Sequence, residues 1–525
     1  MGFISMPKQL PLDLRQIILI LLMTVTGFFT LFFWQGYQGF SFWDEGFLWY
    51  GAQRVMLGEV PMRDFMAYDI GRYYWSAAFM SLLGDNGMVV LRMASTLFET
   101  IALSVGLIML MRSSAKQSSL FWLLTAVTLV AWMAPQWRLY DISLAIMLVG
   151  TLAFLLEQPT RRRYFLAGLI LGLVAVFGRN HGLYGLAGSI GAMIYLTVRR
   201  ENRPKLLPAC LSWASGIVIG YLPVLVFFAV VPGFAQAFWG NIRLLFEIKG
   251  TNYPLPVPWP WLVPTGQLST EMLRSVMTGI FFIAIIVFGV VGIIWVIRRQ
   301  LQNKSTSPAL IASVFLALPY AHYAYSRADL AHLAPGIPPF VIGTFALLAG
   351  QPANIKWPFA ALLCGTSLLV MLPTHPRWYC SVYSNQPCIN LKIAGDKLNV
   401  DPETAGNFVA LSKLVKQFSP GDRTFITAPF WPGAYAAMGR KSPMWEIYAT
   451  TPRSVDFQQA EINRIKAANP GFAVINDYAL DGHEELRFHN THPLIDQYIQ
   501  DNFEPLIDPM RPPVFQIYIS KQGGQ

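Results

Sequence analysis

Long apolar stretches that are nearly free of charge constrain this chain more than any other feature of its sequence. Of its 525 residues, 54% are hydrophobic and only 13% are charged, whereas an average soluble domain has about 25% charged residues. The stretches are roughly 14 to 26 residues long, close to the ~20 residues that a helix needs to cross a bilayer. The sequence therefore predicts a polytopic α-helical membrane protein.

Eleven membrane spans are predicted from these stretches. They are Gln16–Trp34, Met88–Met111, Leu120–Met133, Ile142–Leu156, Tyr164–Phe177, Leu183–Val198, Leu207–Val231, Ser275–Ile297, Pro308–Tyr325, Leu333–Gly350 and Trp357–Leu372. Lys and Arg are concentrated in the segments on the side of the N-terminus, whereas the opposite loops hold similar numbers of basic and acidic residues. The positive-inside rule then predicts a cytoplasmic N-terminus and, with an odd number of spans, an outer C-terminus.

The charge and the cysteines exclude other classes of protein. The net charge of +10 follows from the loop asymmetry, so nucleic-acid binding is not predicted. Four Cys residues are too few for a disulfide-stapled secreted domain, and no Cys/His pair has zinc-finger spacing. Cys380 and Cys388 fall in the predicted outer, oxidising compartment, where a disulfide can form.

Two outer regions are too large to be simple connections. The first is the loop at residues 35–87, and the second is residues 373–525, where helical and strand-like patterns alternate as in a small α/β domain. The helices predicted there are Glu403–Phe418 and Asp456–Ala468, and the strands are Thr424–Ala428, Phe472–Ile475 and Val514–Ile519. The predicted division is a transmembrane domain at 1–372 and a soluble periplasmic domain at 373–525.

Asp44 and Glu45 open the first outer loop, just before an amphipathic helical pattern. Apolar residues between Phe47 and Met56 share one face, whereas Glu45, Trp49 and Arg54 fall elsewhere. Such a helix is expected to lie in the membrane interface with Asp44 as its N-cap. Capping alone can explain Asp44. The alternative is a base that deprotonates an acceptor hydroxyl at the edge of the hydrocarbon, since acids at membrane depth usually have a function.

Tyr68, Asp69 and Arg72 follow later in the same loop. Clustered charges of this kind are often a solvated ion-pair surface. They also suit a pocket for a sugar phosphate, because Arg donates to phosphate oxygens and aromatic faces pack against sugar carbons. Both interpretations stay open at this point.

Three further outer loops carry a few charged or imidazole side chains each. These residues are Arg138, Arg179, His181, Arg327 and His332. The adjoining spans are near or below the ~17 residues that a bilayer requires, so their polar ends are expected to dip toward the membrane or to line a water-filled cleft. The side chains either form interhelical ion pairs or converge with the first loop on one cavity and supply its cations. A His there can bind a metal or a phosphate.

Two charged residues fall inside the second span itself. Arg92 and Glu99 are seven residues apart, which places them on one face of a helix. They are predicted to form a structural pair rather than to take part in a site.

These features together resemble the GT-C superfamily of membrane glycosyltransferases. The resemblance is carried by the Asp44–Glu45 pair after the first span, the long first loop, the R-x-D-x-x-H motif at Arg327–His332 and the soluble outer C-terminal domain. More narrowly, the chain is similar to the bacterial branch related to protein O-mannosyltransferases and lipid A aminoarabinose transferases. The resemblance implies a GT-C-like fold of about 11 spans with a small α/β periplasmic domain, located in the bacterial inner membrane.

The resemblance also implies an activity, with the transmembrane domain as the catalytic one. Relatives invert the anomeric centre as they move a sugar from a polyprenyl-phosphate donor to a periplasmic or cell-envelope acceptor. Asp44 would be the base, and Glu45 its neighbour or an acceptor contact. The later loop residues and the cations of the outer loops would contact the donor phosphate or sugar. A divalent metal would require Asp44, Asp69 and His332 to meet.

The alternative function is a polyprenyl-linked sugar flippase or a solute transporter, in which the same side chains bind substrate without chemistry. No G-x-x-x-x-G-K-[ST] loop is present, so a nucleotide-sugar donor is disfavoured. The sugar stays open among aminoarabinose, arabinofuranose, a hexose and a uronic acid. The acceptor stays open among lipid A, a polysaccharide and a surface protein.

Overall fold

The computed structural model describes residues 12–114, 116–135, 138–198, 205–247, 252–264, 269–378, 380, 386–506 and 515–521. Most of them are helical. In chain order the helices are α1 (Leu14–Gln35), α2 (Asp44–Met56), α3 (Ile70–Leu83), α4 (Met88–Ser113), α5 (Ser119–Trp132), α6 (Leu139–Glu157), α7 (Arg161–Phe177), α8 (Arg179–Val198), α9 (Leu206–Gly220), α10 (Leu222–Val230), α11 (Phe234–Glu247), α12 (Thr270–Leu301), α13 (Pro308–Ser326), α14 (Leu330–Gly336), α15 (Pro338–Leu348), α16 (Ala353–Met371), α17 (Pro376–Trp378), α18 (Pro402–Phe418), α19 (Pro432–Met438), α20 (Val455–Ala468), α21 (Phe488–Thr491) and α22 (Pro493–Asn502). The strands are β1 (Ile389–Ile393), β2 (Asp396–Val400), β3 (Ile426–Ala428), β4 (Phe472–Asn476), β5 (Phe503–Pro505) and β6 (Phe515–Ser520).

Every predicted span falls on a helix or on two consecutive helices. Among the described residues, six helices are long and apolar enough to cross a membrane, and two bent pairs raise the number to as many as eight. The bends are 54° between α9 and α10 and 48° between α14 and α15. Pro223 is the second residue of α10 and Pro338 is the first residue of α15, and proline cannot donate the backbone hydrogen bond that would continue the preceding helix. The predicted count of about 11 spans is not confirmed.

The chain divides into two compact units. Unit 1 consists of residues 1–34, 95–231 and 251–375, and unit 2 of residues 35–94, 232–250 and 376–525. Unit 2 thus contains the first outer loop together with the C-terminal region. The predicted division into a transmembrane and a periplasmic domain stays a prediction.

Small residues let two helices of unit 1 pack backbone to backbone. A Cβ atom added to Gly168 or Gly172 of α7 would overlap the backbone of α9, and one added to Gly216 or Gly220 of α9 would overlap that of α7. Both pairs have the small-xxx-small spacing that brings membrane helices close together. Elsewhere in unit 1, α13 packs against α6, α8 and α14, the helices that carry the three charged loops.

The C-terminal part of unit 2 contains a four-stranded sheet in the order β3-β4-β6-β5. β3 and β4 are parallel, and the other neighbours are antiparallel. α20 and α22 cover the sheet through a core that includes Ile465, Ile475 and Ile499. The predicted helices and strands of this region are confirmed to within about two residues. Val514, where the last predicted strand starts, lies outside the described residues.

Helix α2 is buried by α3 and α19 within unit 2. Gly46 approaches Gly433 of α19 so closely that a Cβ atom would overlap its backbone, and the Gly433 N–H donates to the Phe42 carbonyl at 2.7 Å. Trp49 and Tyr50 are almost completely buried. The predicted helix is confirmed, but its predicted single apolar face is wrong, because partners cover α2 on more than one side.

The predicted cysteine pairing is confirmed. Cys380 and Cys388 form a disulfide with a Cα–Cα distance of 5.2 Å. Cys388 directly precedes β1, which forms an antiparallel hairpin with β2. Cys210 and Cys364 are both free; Cys210 is half-buried and Cys364 is buried.

Candidate functional site

Asp44 is the first residue of α2, and Trp43 occupies the cap position before it. The predicted N-cap role of Asp44 is therefore wrong by one position, because the chain becomes helical one residue earlier than expected. Asp44 and Glu45 both lie in the first turn, where the helix dipole favours carboxylates. Asp44 is half-buried.

Glu45 forms a buried bidentate ion pair with Arg92. The Arg92 Nε donates to Glu45 Oε1 at 2.6 Å and Nη2 donates to Oε2 at 2.7 Å. The guanidinium also donates to the carbonyls of Gln35, Gly36, Gln38 and Gly39 at 2.9 to 3.3 Å. This pair, which we call the closed pair, ties the turn before α2 to the first residues of the helix.

The closed pair corrects the predicted partner of Arg92. Glu99 was expected there, but the Arg92 guanidinium binds Glu45 from the first loop. Glu99 is buried, and its Oε1 makes no hydrogen bond with any of the residues that the structure describes. Glu45 faces Arg92, so its place in the structure is that of a residue that fixes the position of Asp44.

Tyr68, Asp69 and Arg72 lie together where the loop enters α3. Asp69 is the N-cap residue of α3. Arg72 is buried, and its guanidinium carbon is 5.5 Å from the centre of the Tyr68 ring. Tyr68 packs on Phe47 of α2 with ring centres 4.7 Å apart. Because Phe47 is one helical turn after Asp44, the later loop residues are neighbours of the helix that carries Asp44.

In unit 1 the three charged outer loops meet each other. The Arg138 Nη2 is 3.0 Å from His332 Nε2, and the His181 Nε2 is 3.0 Å from Asp141 Oδ1. Arg138 and Asp141 form an ion pair at 3.8 Å. Side chains from the starts of α6, α8 and α14 thus form one connected cluster.

Asp329 extends this cluster into the third loop. Its Oδ1 accepts hydrogen bonds from the backbone N–H and the Nδ1 of His332, both at 2.8 Å. Its Oδ2 accepts from Arg327 Nε at 3.0 Å, and Arg327 Nη1 donates to the Tyr253 carbonyl at 3.3 Å. Burial raises the pKa of Asp329, but the bonds from His332 and the charge of Arg327 outweigh it and hold this pKa below its ordinary value.

The hydrogen bonds assign the protons of both histidines. The guanidinium of Arg138 can only donate, so Nε2 of His332 accepts and the ring proton lies on Nδ1, facing Asp329. The His181 Nε2–H donates to Asp141, and its Nδ1 accepts from the Tyr320 hydroxyl at 2.7 Å. We call the connected set the arginine–histidine network. Its members are Tyr320, His181, Asp141, Arg138, His332, Asp329 and Arg327.

Some members of the network were not predicted as site residues. Asp141 lies three residues after Arg138, a spacing that brings two side chains together on a helix, so the sequence contained a signal for it. Tyr320 lies inside an apolar span with no pattern that distinguishes it. Arg179, which was predicted, is the first residue of α8 and is half-buried, two residues before His181.

A divalent metal finds no ready set of ligands. In the part of the chain that the structure describes, no group of three or more His, Cys, Asp or Glu side chains is placed to hold a metal ion. Asp69 lies beside Tyr68 and Arg72, and His332 has both ring nitrogens engaged by Asp329 and Arg138. The described residues therefore provide no ready-made metal site.

Comparison with known proteins identifies the fold. No protein-family model matches the chain, and no curated protein matches its sequence. The crystal structure of ArnT from Cupriavidus metallidurans in the apo state has a TM-score of 0.55 and 10% identity, and covers 96% of this chain and 97% of that one. ArnT bound to undecaprenyl phosphate has a TM-score of 0.51 and 12% identity, and covers 97% and 98%.

The chain has a GT-C fold. The likeness to ArnT agrees with the predicted resemblance to lipid A aminoarabinose transferases. The archaeal oligosaccharyltransferase AglB from Archaeoglobus fulgidus covers 98% of this chain and 75% of its own, with 11% identity and a TM-score of 0.49. At such low identity the comparisons show the fold, and the reaction is a separate question.

Proposed function

We propose that the chain is an inverting glycosyltransferase that moves a sugar from a polyprenyl-phosphate donor to a periplasmic or cell-envelope acceptor. The observation that carries the proposal is the fold match to ArnT over nearly the whole of both chains, in a structure that contains undecaprenyl phosphate. The half-buried Asp44 and the partly exposed arginines of unit 1 are the two kinds of group that this chemistry needs.

Asp44 is the proposed base. It accepts the proton of an acceptor hydroxyl while that oxygen forms a bond to the anomeric carbon of the donor sugar. The bond from the anomeric carbon to the phosphate oxygen breaks on the opposite face, and polyprenyl phosphate leaves with the electron pair. The configuration inverts because attack and departure occur on opposite faces. The closed pair holds the start of α2 in place, which is the role we propose for Glu45.

The arginines of unit 1 are the proposed groups for the donor phosphate. Negative charge grows on the phosphate as it leaves, and donors that are already fixed in position stabilise that charge most effectively. Arg138 is fixed by His332 and Asp141, and Arg327 by Asp329. Since His181 and His332 use both ring nitrogens within the network, their proposed role is to orient the charged groups. Arg179 is proposed as a further phosphate contact.

In the first loop, Tyr68, Asp69 and Arg72 are the proposed contacts to the donor. Tyr68 is 45% exposed, which leaves part of the residue available to a sugar. The buried guanidinium of Arg72 beside that ring gives it a fixed position. Asp69, at the start of α3, accepts hydrogen bonds from sugar hydroxyls in this proposal.

The proposed location is the bacterial inner membrane, with the N-terminus in the cytoplasm and the C-terminus in the periplasm. The distribution of Lys and Arg supports this orientation. The disulfide between Cys380 and Cys388 also supports it, because disulfides persist in oxidising compartments. Alkaline phosphatase fused to the C-terminus should be active in cells. Activity of a cytoplasmic reporter at the same position, with an inactive phosphatase, would contradict the orientation.

The function is tested with purified protein in detergent and a panel of polyprenyl-phosphate sugars, with crude envelope material as acceptor. Mass spectrometry follows free polyprenyl phosphate and the glycosylated product. Asp44→Asn should lower transfer by about 10²- to 10⁴-fold, the usual contribution of a general base, and should leave donor binding intact. Asp85→Asn is the matched control, since Asp85 is an exposed carboxylate of the same unit. Its Oδ1 accepts a hydrogen bond from the Gly87 N–H, and the amide oxygen of Asn can accept the same bond.

Two results would contradict the proposal. If no donor releases polyprenyl phosphate while the protein moves a lipid-linked sugar across vesicles, the chain is a flippase. If Asp44→Asn transfers sugar as fast as Asp85→Asn, Asp44 is not the base.

A further inference from the structure

The carboxyl ends of two parallel strands in unit 2 carry aromatic side chains. Phe430 follows β3 and Tyr478 follows β4, and their ring centres are 5.2 Å apart. Because β3 and β4 are parallel neighbours, both residues leave the sheet at the same edge. In open α/β sheets, ligands bind outside the edge where the strands end.

The start of α2 belongs to the same surface. The Trp43 ring centre is 6.0 Å from that of Phe430, and the Tyr448 ring centre is 5.8 Å from both Phe430 and Phe47. Trp43 directly precedes Asp44 and Phe47 follows one turn later, so aromatic rings flank the proposed base. We call the connected rings the aromatic surface. They are Trp43, Phe47, Tyr68, Phe430, Tyr448 and Tyr478.

The aromatic surface combines buried residues with exposed ones. Phe47 and Phe430 are 3% and 4% exposed, whereas Trp43 and Tyr68 are 41% and 45% exposed. Apart from the two buried Phe residues, every ring of the surface has a hydroxyl or an indole N–H at its edge. Such rings suit a ligand in which C–H faces alternate with hydroxyl groups, because the faces stack and the polar edges form hydrogen bonds. Sugar rings have this character.

Other acceptor classes fit the surface less well. A lipid chain would place hydrocarbon against the indole N–H of Trp43, which is 41% exposed, and this is unfavourable for a polar group. An extended peptide commonly adds to an edge strand, but β3 has only three residues and all of them are buried. Asp477, the residue before Tyr478, binds the exposed His489 at 2.6 Å.

We propose that Trp43, Tyr448 and Tyr478 of the aromatic surface bind the acceptor and that the acceptor is a saccharide, while Tyr68 at the border of the surface contacts the donor. This inference rests on the proposed glycosyltransferase function and deepens it by naming the acceptor class. Trp43, Tyr448 and Tyr478 stack against sugar rings and hold one acceptor hydroxyl at Asp44, which removes its proton during transfer. The product is a glycosidic bond between two sugars.

The acceptor class is tested by supplying the full-length protein in liposomes with a labelled polyprenyl-phosphate sugar. Envelope material is separated into saccharide, protein and lipid fractions, and each is offered separately. Label should enter the saccharide fraction. Label in the protein or lipid fraction alone would overturn the acceptor class and leave the glycosyltransferase function standing. Absence of both label transfer and polyprenyl phosphate release with every fraction would count against the function itself.

The residues are tested by Tyr448→Ala and Tyr478→Ala. Each loss of a stacked ring should raise the half-saturating acceptor concentration roughly threefold to tenfold, the range expected for one aromatic contact. The half-saturating donor concentration should not change, which also shows that the variants are folded. Tyr448→Phe and Tyr478→Phe keep the stacking face and should restore acceptor binding to within about twofold of wild type.

Trp239→Ala is the matched control, because Trp239 is an exposed aromatic residue of the same unit on α11 outside the aromatic surface. It should leave both half-saturating concentrations unchanged. Equal effects of the two Tyr→Ala variants on donor and acceptor, or no effect on either, would overturn the role of the aromatic surface.

Discussion

The closed pair of unit 2 and the arginine–histidine network of unit 1 are both built from buried charges, but they are satisfied in different ways. In the closed pair, Glu45 and Arg92 are each 5% exposed, and every nitrogen of the guanidinium donates to protein oxygens. In the network, the side chains of Arg138, Arg327 and Asp329 are 19%, 21% and 30% exposed. Charges that are fully buried and paired can only stabilise the structure, whereas partly exposed charges have surface left for a ligand.

The difference suggests how the two units divide the chemistry. Arg92 is buried and fixes the turn before α2, and through this turn it fixes the position of Asp44. In unit 1 the histidines and aspartates play that fixing part, and the arginines keep exposed surface for an anion. Variants of the closed pair should therefore reduce stability most, and variants of the network should affect donor binding most.

The largest expected effect is that of Arg92→Gln on stability. Removing one partner of a buried ion pair leaves an uncompensated charge and costs about 3 to 5 kcal/mol. Arg63→Gln is the control, since Arg63 forms a bidentate pair with Asp64 at 2.8 Å but is 33% exposed, where such pairs contribute about 0 to 1 kcal/mol. Thermal unfolding in detergent measures both. Similar midpoints for the two variants would show that the closed pair does not fix the start of α2.

The next effect is that of Arg138→Gln on the donor. A hydrogen bond from a charged group contributes about 1.5 to 3 kcal/mol, so the half-saturating donor concentration should rise roughly tenfold to hundredfold. Arg243→Gln, which changes an exposed arginine outside the network, should have no effect. A lower unfolding temperature with unchanged donor binding would make the network an interhelical ion-pair cluster, the other interpretation of the sequence.

The limits of sequence interpretation differ between these regions for physical reasons. Apolar stretches predicted the helices closely because hydropathy is a local property of consecutive residues. The bend between α14 and α15 also has a local cause, Pro338, but the mean hydropathy of the stretch does not reveal it. The burial of Tyr50 has no local cause, because its ring packs on Tyr435 of α19, which lies far away in the chain.

The same distinction applies to charged residues. Asp329 and His332 are three residues apart, so their contact could be expected from helical spacing. Arg92 was assigned to Glu99 by the same spacing argument, but its partner Glu45 comes from another helix. Nothing in the sequence near Arg92 indicates that carbonyls of a distant turn need its donors. Local spacing can propose a pair, but only the fold shows which of several partners is reached.

A smaller stability effect should follow from Gly46→Ala, which tests how tightly α2 is held. The added Cβ would overlap the backbone of Gly433, and overpacking of this kind costs about 1 to 3 kcal/mol. Gly406→Ala is the control, because Gly406 lies within α18 with open space around it, so Ala should raise stability by up to about 1 kcal/mol. If both variants unfold at the wild-type temperature or above, the contact between α2 and α19 is looser than the structure shows.

The smallest effect concerns Glu59, which binds Arg54 and Lys441 and so joins the first loop to the C-terminal region within unit 2. Burial raises the pKa of Glu59, but its bonds to Arg54 and Lys441 outweigh this and hold the pKa below its ordinary value of 4.5. A lowered pKa stabilises the folded state above pH 4.5, and this contribution is lost as the pH falls through the folded-state value. Glu59→Gln should therefore reduce the loss of folding free energy as the pH falls below 5, by less than about 1 kcal/mol. Thermal unfolding of wild type and variant over this pH range measures the difference. Parallel curves for wild type and variant would show that Glu59 is not held by these cations.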